Sequence, residues 1–222
     1  NLQFVQMGDF YPISSAQHNS LYNFAIVNYI EGFGLKMENS LLIKSEDIKL
    51  AEEKHFLEVF PDYNIDLTLR FREAKTPHEK IQQESVFKID NWCTNYENDI
   101  RKKGGIGFFL GGIGPDGHIA FNTQGTDHFS STRLTKTNFE TQAVLAADLG
   151  GIEVSRNRLV ITVGLGTLGF NPKAKTIVYA AGEAIADTIK TAIESNPTVI
   201  APATSLQKLE NSRFYLTDGA AV

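Results

Sequence analysis

Short, fully apolar runs separated by helix-length amphipathic segments constrain this chain more than any other feature. Ile106-Gly107-Phe108-Phe109-Leu110 is one such run. Continuous apolarity of that length marks a strand buried on both faces of a parallel sheet. Arg158–Val163 and Thr176–Ala181 read as two more such strands, and Arg213–Leu216 as the last, with a helix over Glu183–Ser195. Thr76–Lys103 spells one long helix, with Pro77 in its first turn and Gly104-Gly105 ending it. Ser20–Glu31 carries apolar residues at 21, 24, 25, 27 and 30, a helical spacing with Ser20 as N-cap. Residues 46–60 repeat that pattern behind Ser45, with Ile48, Leu50, Phe56, Leu57 and Phe60 as the apolar face and Pro61 as the stop. Leu2–Met7 and Ile65–Phe71 alternate as half-exposed strands do. Strands alternating with helices predict an α/β fold, a Rossmann-like parallel sheet with helices on both faces. No repeat, low-complexity tract or linker breaks the chain, so residues 1–222 are expected to form a single domain. A strand this close to residue 1 is expected in the middle of a fold, so an N-terminal portion is expected to be missing.

Composition narrows the function. The net charge is −5 and the pI about 5.6, which lacks the basic footprint that nucleic-acid binding requires. The longest apolar run, Ile177–Ala181, is far short of a membrane span of roughly 18–20 residues. No charged n-region and apolar h-region mark a signal peptide, and a cytoplasmic location is expected. The one cysteine, Cys93, excludes an internal disulfide framework or a cysteine zinc cluster and reads as a buried core thiol. No histidine or carboxylate pair stands at metal-ligand spacing, so neither metal nor cofactor is expected.

The chemistry concentrates in Gly111-Gly112-Ile113-Gly114-Pro115-Asp116-Gly117-His118-Ile119-Ala120-Phe121-Asn122. Ligands of open α/β sheets bind at the carboxyl ends of strands, and this loop leaves such an end. Its glycines allow backbone N–H groups to approach an anion closely. Gly112, Gly114 and Gly117 formally spell the dinucleotide pattern, but Pro115 removes a donor and no strand with a terminal acid follows at the required distance. In so tight a loop Asp116 can fix the tautomer of His118, leaving an acid–base group near neutral pH. The alternative is a turn histidine whose Asp merely closes the turn by Asx bonding. His18, His55, His78 and His128 stand in solvated or capping contexts.

The stretch Phe109–Asn122 closely resembles the active-site loop of glucosamine-6-phosphate deaminases. The likeness continues through Ser130–Thr135, Leu159–Thr167 and Thr204–Gln207, and upstream at Phe4–Tyr11 and Gln17–Ser20, apart from an insertion around residues 50–85. The related 6-phosphogluconolactonases share Asp-Gly-His but continue Ala-Ser-Leu-Phe-Pro, which is absent here. The resemblance implies a fold of the deaminase, ribose-phosphate isomerase and CoA-transferase type. It also implies an aldose–ketose isomerising deaminase, taken as a hydrolase, that converts an amino-sugar phosphate to a ketose phosphate and ammonia. It makes His118 the ring-opening acid–base, Asp116 its orienting partner and Asp9 the fallback base for proton transfer between C2 and C1. It places substrate binding on Gly112, Ile113, Gly114, Ala120 and Thr123. A small-molecule sugar phosphate is the implied partner, with no nucleic acid and no membrane; family members are often oligomers, which leaves a homo-oligomer open.

Four positions depart from the family pattern. Gly8 stands where the proton-shuttling Asp belongs, and Thr123 where a Glu supports the histidine. Ala147 and Ile185 stand where the family has its phosphate-binding Arg and Lys. Arg133, Lys136 and Arg156 are substitute cations. These losses keep a second reading open, a sugar-phosphate-binding or regulatory homologue with impaired catalysis, and a lactone hydrolase is the third.

Overall fold

The structure, a computed structural model, describes residues 2–149 and 151–221. In chain order the regular elements are β1 (Phe4–Val5), β2 (Gly8–Tyr11), α1 (Leu21–Phe24), β3 (Ser40–Leu41), α2 (Phe56–Val59), α3 (Pro77–Lys102) and β4 (Phe108–Gly112). There follow β5 (Arg133–Lys136), α4 (Phe139–Leu149), α5 (Ile152–Asn157), β6 (Leu159–Thr162), α6 (Leu165–Leu168), β7 (Lys175–Ala180), α7 (Ala186–Glu194) and β8 (Asn211–Leu216). The class is the expected α/β. The chain divides into two compact units, Asn1–Tyr96 with Arg133–Ile161, and Glu97–Thr132 with Thr162–Val222.

In the first unit β6 lies between β2 and β5, while β1 and β3 form a short parallel pair. Every residue of β6 is buried, as its continuous apolar run requires. Phe60, Leu69, Val86, Ile89 and Leu134 are at most 1% exposed and form the core around α3. The alternation at Leu2–Met7 yields only two strand residues; past them Gln6 N still donates to Leu41 O, while the Gln6 side chain bonds Gly8 O and Ile43 N. The helix expected over Ser20–Glu31 starts on Ser20 as predicted but widens after Phe24 into a π-helix, Ala25–Glu31.

Two expectations fail here for a physical reason. Residues 46–60 do not form one helix. Glu52 and Glu53 adopt positive φ (52° and 54°), which leaves two short 3-10 turns and the single turn of α2. The strand expected at Ile65–Phe71 is a 3-10 turn, Leu67–Arg70. Its Asp66 carboxylate accepts from Thr68 N and Oγ1 at 2.9 and 2.7 Å and from Arg72, local bonds that compete with an extended ladder.

In the second unit β4, β7 and β8 form a parallel sheet in that order, with Leu110 opposite Ile177 and Ile177 opposite Arg213. Phe109, Thr176 and Val178 are buried on one face. On the other, Phe108, Leu110, Tyr179 and Tyr215 are each 57–60% exposed, so β4 is not the strand buried on both faces that its apolar run predicts. Among the described residues no helix is long and apolar enough to cross a membrane.

The contribution of α3 to the first core is measurable. Replacing the fully buried Ile89 by Ala removes methyl groups and leaves a cavity. It is expected to lower unfolding stability by about 2–5 kcal/mol, read by urea titration of the Trp92 fluorescence. Phe87→Ala on the half-exposed face of the same helix should change it by far less.

Candidate active site

The loop leaving β4 is held in one shape by its own backbone and by its neighbours in the second unit. Gly114 N donates to His118 O at 3.0 Å and Gly117 N to Gly114 O at 2.9 Å, while Gly117 takes φ +77°. Ala203 N donates to Gly117 O, and Thr188 Oγ1 to Pro115 O. Asn122, fully buried, donates its side-chain amide to Ile119 O at 3.0 Å and Val163 O at 2.8 Å. These contacts explain the residue types that follow His118 in the motif.

Within this frame Asp116 Oδ1 and His118 Nδ1 are 2.5 Å apart, with side chains 14% and 17% exposed. Burial pushes the Asp116 carboxyl up, but the hydrogen bond and charge of His118, with backbone donors, outweigh it and hold it below the ordinary range. An anionic acceptor at Nδ1 selects the Nδ1–H tautomer and leaves Nε2 as the atom that exchanges protons. Gly114 is the floor of the pair. A Cβ there would lie 2.0 Å from His118 Cε1, so any side chain would displace the imidazole. Gly112 ends β4, and Ile113, Gly114, Ala120 and Thr123 lie on the loop that follows it. Ile113 is buried, and Ala120 takes φ +52°.

Sequence reading missed Glu97, in the last turns of α3. Its carboxylate is 5% exposed and accepts from Thr132 N and Oγ1 at 3.1 and 2.8 Å, Thr167 Oγ1 at 2.6 Å and Arg101 Nε at 2.7 Å. Burial raises its pKa, and these donors bring it below the usual value. Glu97 thereby fixes Thr132, inside the segment Ser130–Thr135, and Thr167, the last residue of Leu159–Thr167. Between those segments Gly166 N donates to Ser130 O at 2.9 Å, and a Cβ on Gly164 would fall 2.0 Å from that oxygen. The i,i+4 spacing of Glu97 and Arg101 was the available signal, but it reads as a solvated pair.

Asp9 belongs to the first unit and has a different setting. It is 1% exposed. Oδ1 accepts from Phe10 N and Leu21 N, and Oδ2 from Tyr22 N, Ser20 Oγ and Gln6 Nε2, at 2.8–3.4 Å. The carboxylate thus anchors the first turn of α1, and burial raises its pKa against the pull of those donors. Of the four departures, Gly8 lies in β2, Thr123 accepts from Thr126 N through its carbonyl, Ala147 is exposed on α4 and Ile185 stands just before α7. Of the substitute cations, Arg133 is half-buried, and Lys136 and Arg156 are exposed. His128 Nε2 meets Thr198 O at 3.0 Å. The Cys93 thiol is buried and pushed up to about 12, mainly by desolvation, so it is not a nucleophile.

Comparison with known proteins shows that the chain shares its fold with solved deaminase and lactonase structures. A solved monomeric glucosamine-6-phosphate deaminase superposes with a TM-score of 0.72 at 19% identity, covering 100% of this chain and 74% of that one. The 6-phosphogluconolactonase of Trypanosoma brucei superposes at 0.60 with 13% identity, covering 99% and 73%. No family model matches. By sequence the chain is related to the glucosamine-6-phosphate deaminases. That of Borrelia hermsii is 36% identical over 154 residues, 65% of this chain and 55% of its own length. Glucosamine-6-phosphate deaminase 2 of Bacillus subtilis is 37% identical over 131 residues, 59% and 52%. The chain therefore spans about half the length of the curated relatives it matches. Their names speak of deamination, so the hydrolase label expected from the sequence gains no support from them.

Two substitutions test these assignments. Asp9→Asn leaves buried N–H groups without an acceptor and is expected to cost about 1–3 kcal/mol of unfolding stability, measured by urea titration. Because the folded Asp116 pKa is depressed, its contribution to stability is present above the ordinary Asp pKa of about 3.9 and is lost as pH falls through the lower folded value. Asp116→Asn should remove that part of the acid-side slope in melting temperature between pH 5 and 2, roughly the range over which a depressed carboxyl titrates.

Proposed function

We propose that this chain carries the ring-opening and deaminating site of a glucosamine-6-phosphate deaminase-type enzyme, an isomerising deaminase rather than a hydrolase. The observation that carries the reading is the Asp116–His118 pair, packed on Gly114 at the end of β4. Nε2 of the Nδ1–H tautomer of His118 takes the proton of the C1 hydroxyl and delivers it to the ring oxygen as the C1–ring-oxygen bond breaks, so the pyranose opens to the aldehyde. Asp116 holds the imidazole in register and stabilises its charged form throughout. The backbone of Gly112–Gly114 supports substrate binding at the strand end, where N–H groups approach an anion without side-chain obstruction. The same proposal includes a sugar phosphate as partner, a cytoplasmic setting and self-association.

Isomerisation next moves a proton between C2 and C1, and this requires a carboxylate over those carbons. Gly8 supplies none, and Asp9 becomes available only by releasing the α1 backbone and Ser20. That observation favours a second reading, in which the chain binds the sugar phosphate and opens its ring but turns over poorly.

Ammonia release from glucosamine 6-phosphate separates the readings. The deaminase reading expects release that falls by 10²-fold or more in His118→Ala, about the worth of one positioned acid–base group. Saturable binding of the sugar phosphate without ammonia, restored to turnover by Gly8→Asp, supports the binding reading with a missing base. Acid release from 6-phosphogluconolactone in place of ammonia would overturn both.

A further inference from the structure

We propose that the first unit holds a second small-molecule site, an oxyanion pocket organised on Arg158 and separate from the Asp116–His118 pair. A cavity of about 640 Å³ lies within this unit. Its walls are the segment after β2, the irregular stretch 45–57, Tyr63 and Arg158. That volume falls in the range of small-ligand sites, roughly 300–1,000 Å³.

Arg158, between α5 and β6, enters the cavity wall in a constrained pose. One guanidinium nitrogen, Nη1, donates to Pro12 O, and the guanidinium lies over the Tyr63 ring at 5.0 Å from its centroid. Nε is buried and has no hydrogen-bond partner, and among the described residues no carboxylate stands within ion-pair distance of the group. Guanidinium stays charged in proteins, so Nε, on the Nε–Nη2 edge, is a desolvated cationic donor without an acceptor. That edge has the spacing of a carboxylate or phosphate, which it engages with two parallel bonds. Burial of Arg158 lowers its pKa, in keeping with a cation lacking a counter-ion.

The rest of the lining defines the ligand. Ile13, Ile48, Leu50 and Phe56 give the cavity an apolar wall, and Lys49 adds an exposed cation at its rim. Glu46, which also lines it, is committed to Ser15 N at 2.7 Å. The chemistry that fits is one oxyanion head, phosphate or carboxylate, on a compact apolar or aromatic body. None of these residues lies in the Gly111–Asn122 motif, and the proposal does not depend on what His118 does.

Calorimetric titration of the full chain with phenyl phosphate, benzoate and inorganic phosphate tests it. At least one of the two aromatic anions is expected to bind saturably, at least tenfold tighter than inorganic phosphate, and the stronger of the two identifies the head group. Arg158→Met should weaken that binding tenfold or more, and His118→Ala should leave it unchanged. Lys49→Glu, at an exposed position, should weaken it several-fold and keeps the test decisive if Arg158→Met fails to fold. No binding of either aromatic anion overturns the proposal, as does binding indifferent to the variants at 158 and 49. Binding lost in His118→Ala also overturns it and assigns the ligand to the motif loop.

Discussion

Buried carboxylates with their oxygens already engaged are the constraint on which both units depend. In the first, Asp9 gathers three backbone N–H groups, a hydroxyl and an amide, and so fixes where α1 begins. In the second, Glu97 gathers two threonine hydroxyls, one backbone N–H and an arginine, and so fixes the segments that carry Thr132 and Thr167. A carboxylate out of water is costly unless donors surround it, and once surrounded it tolerates few alternative arrangements of those donors. The two differ in outcome. Donors win over desolvation at Glu97 and hold its pKa down, whereas at Asp9 desolvation wins.

The Asp116–His118 pair obeys the same physics with one valence left open. Asp116 spends its charge on Nδ1, and the short loop, closed by Gly114 and Gly117, keeps the pair together. What remains is Nε2. A histidine used only to close a turn would not need the absence of a side chain at position 114, yet the imidazole occupies that space. Packing on Gly114 fixes where the imidazole sits, the positioning on which the proposed acid–base role relies.

The long helix, the motif loop and the buried strand β6 were legible because each is specified by its own residues: Pro77 and Gly104-Gly105 at the helix ends, glycines at the turns, and a continuous apolar run for β6. The stretch 45–71 was not. Its apolar spacing is helical and then alternating, but positive φ at Glu52 and Glu53 and the Asp66–Thr68 bonds override both periods. For β4 the run of apolar residues predicted two covered faces, and Phe108 and Leu110 are exposed because the pattern reports what a strand can bury, not what lies over it. In the candidate site, Asp116 and His118 could be named from spacing alone. Glu97 could not, since its donors come from 35 and 70 residues away in sequence.

The uneven survival of the family motif follows from how the steps of such a reaction divide. Ring opening needs one acid–base group and its orienting partner, both within a three-residue span, so a single loop preserves the whole function. Proton transfer between C2 and C1 needs a carboxylate from a separate strand, where the register decides which side chain points inward. At the start of β2 that register gives glycine at position 8 and directs the neighbouring Asp9 into the frame of α1. A carboxylate so engaged has traded reactivity for stability, because freeing it to take a proton from carbon would expose the helix donors it satisfies. On the proposed reading the two halves of the chemistry are separable, ring opening drawing on the loop pair Asp116–His118 and isomerisation on a carboxylate that the fold already engages at Asp9.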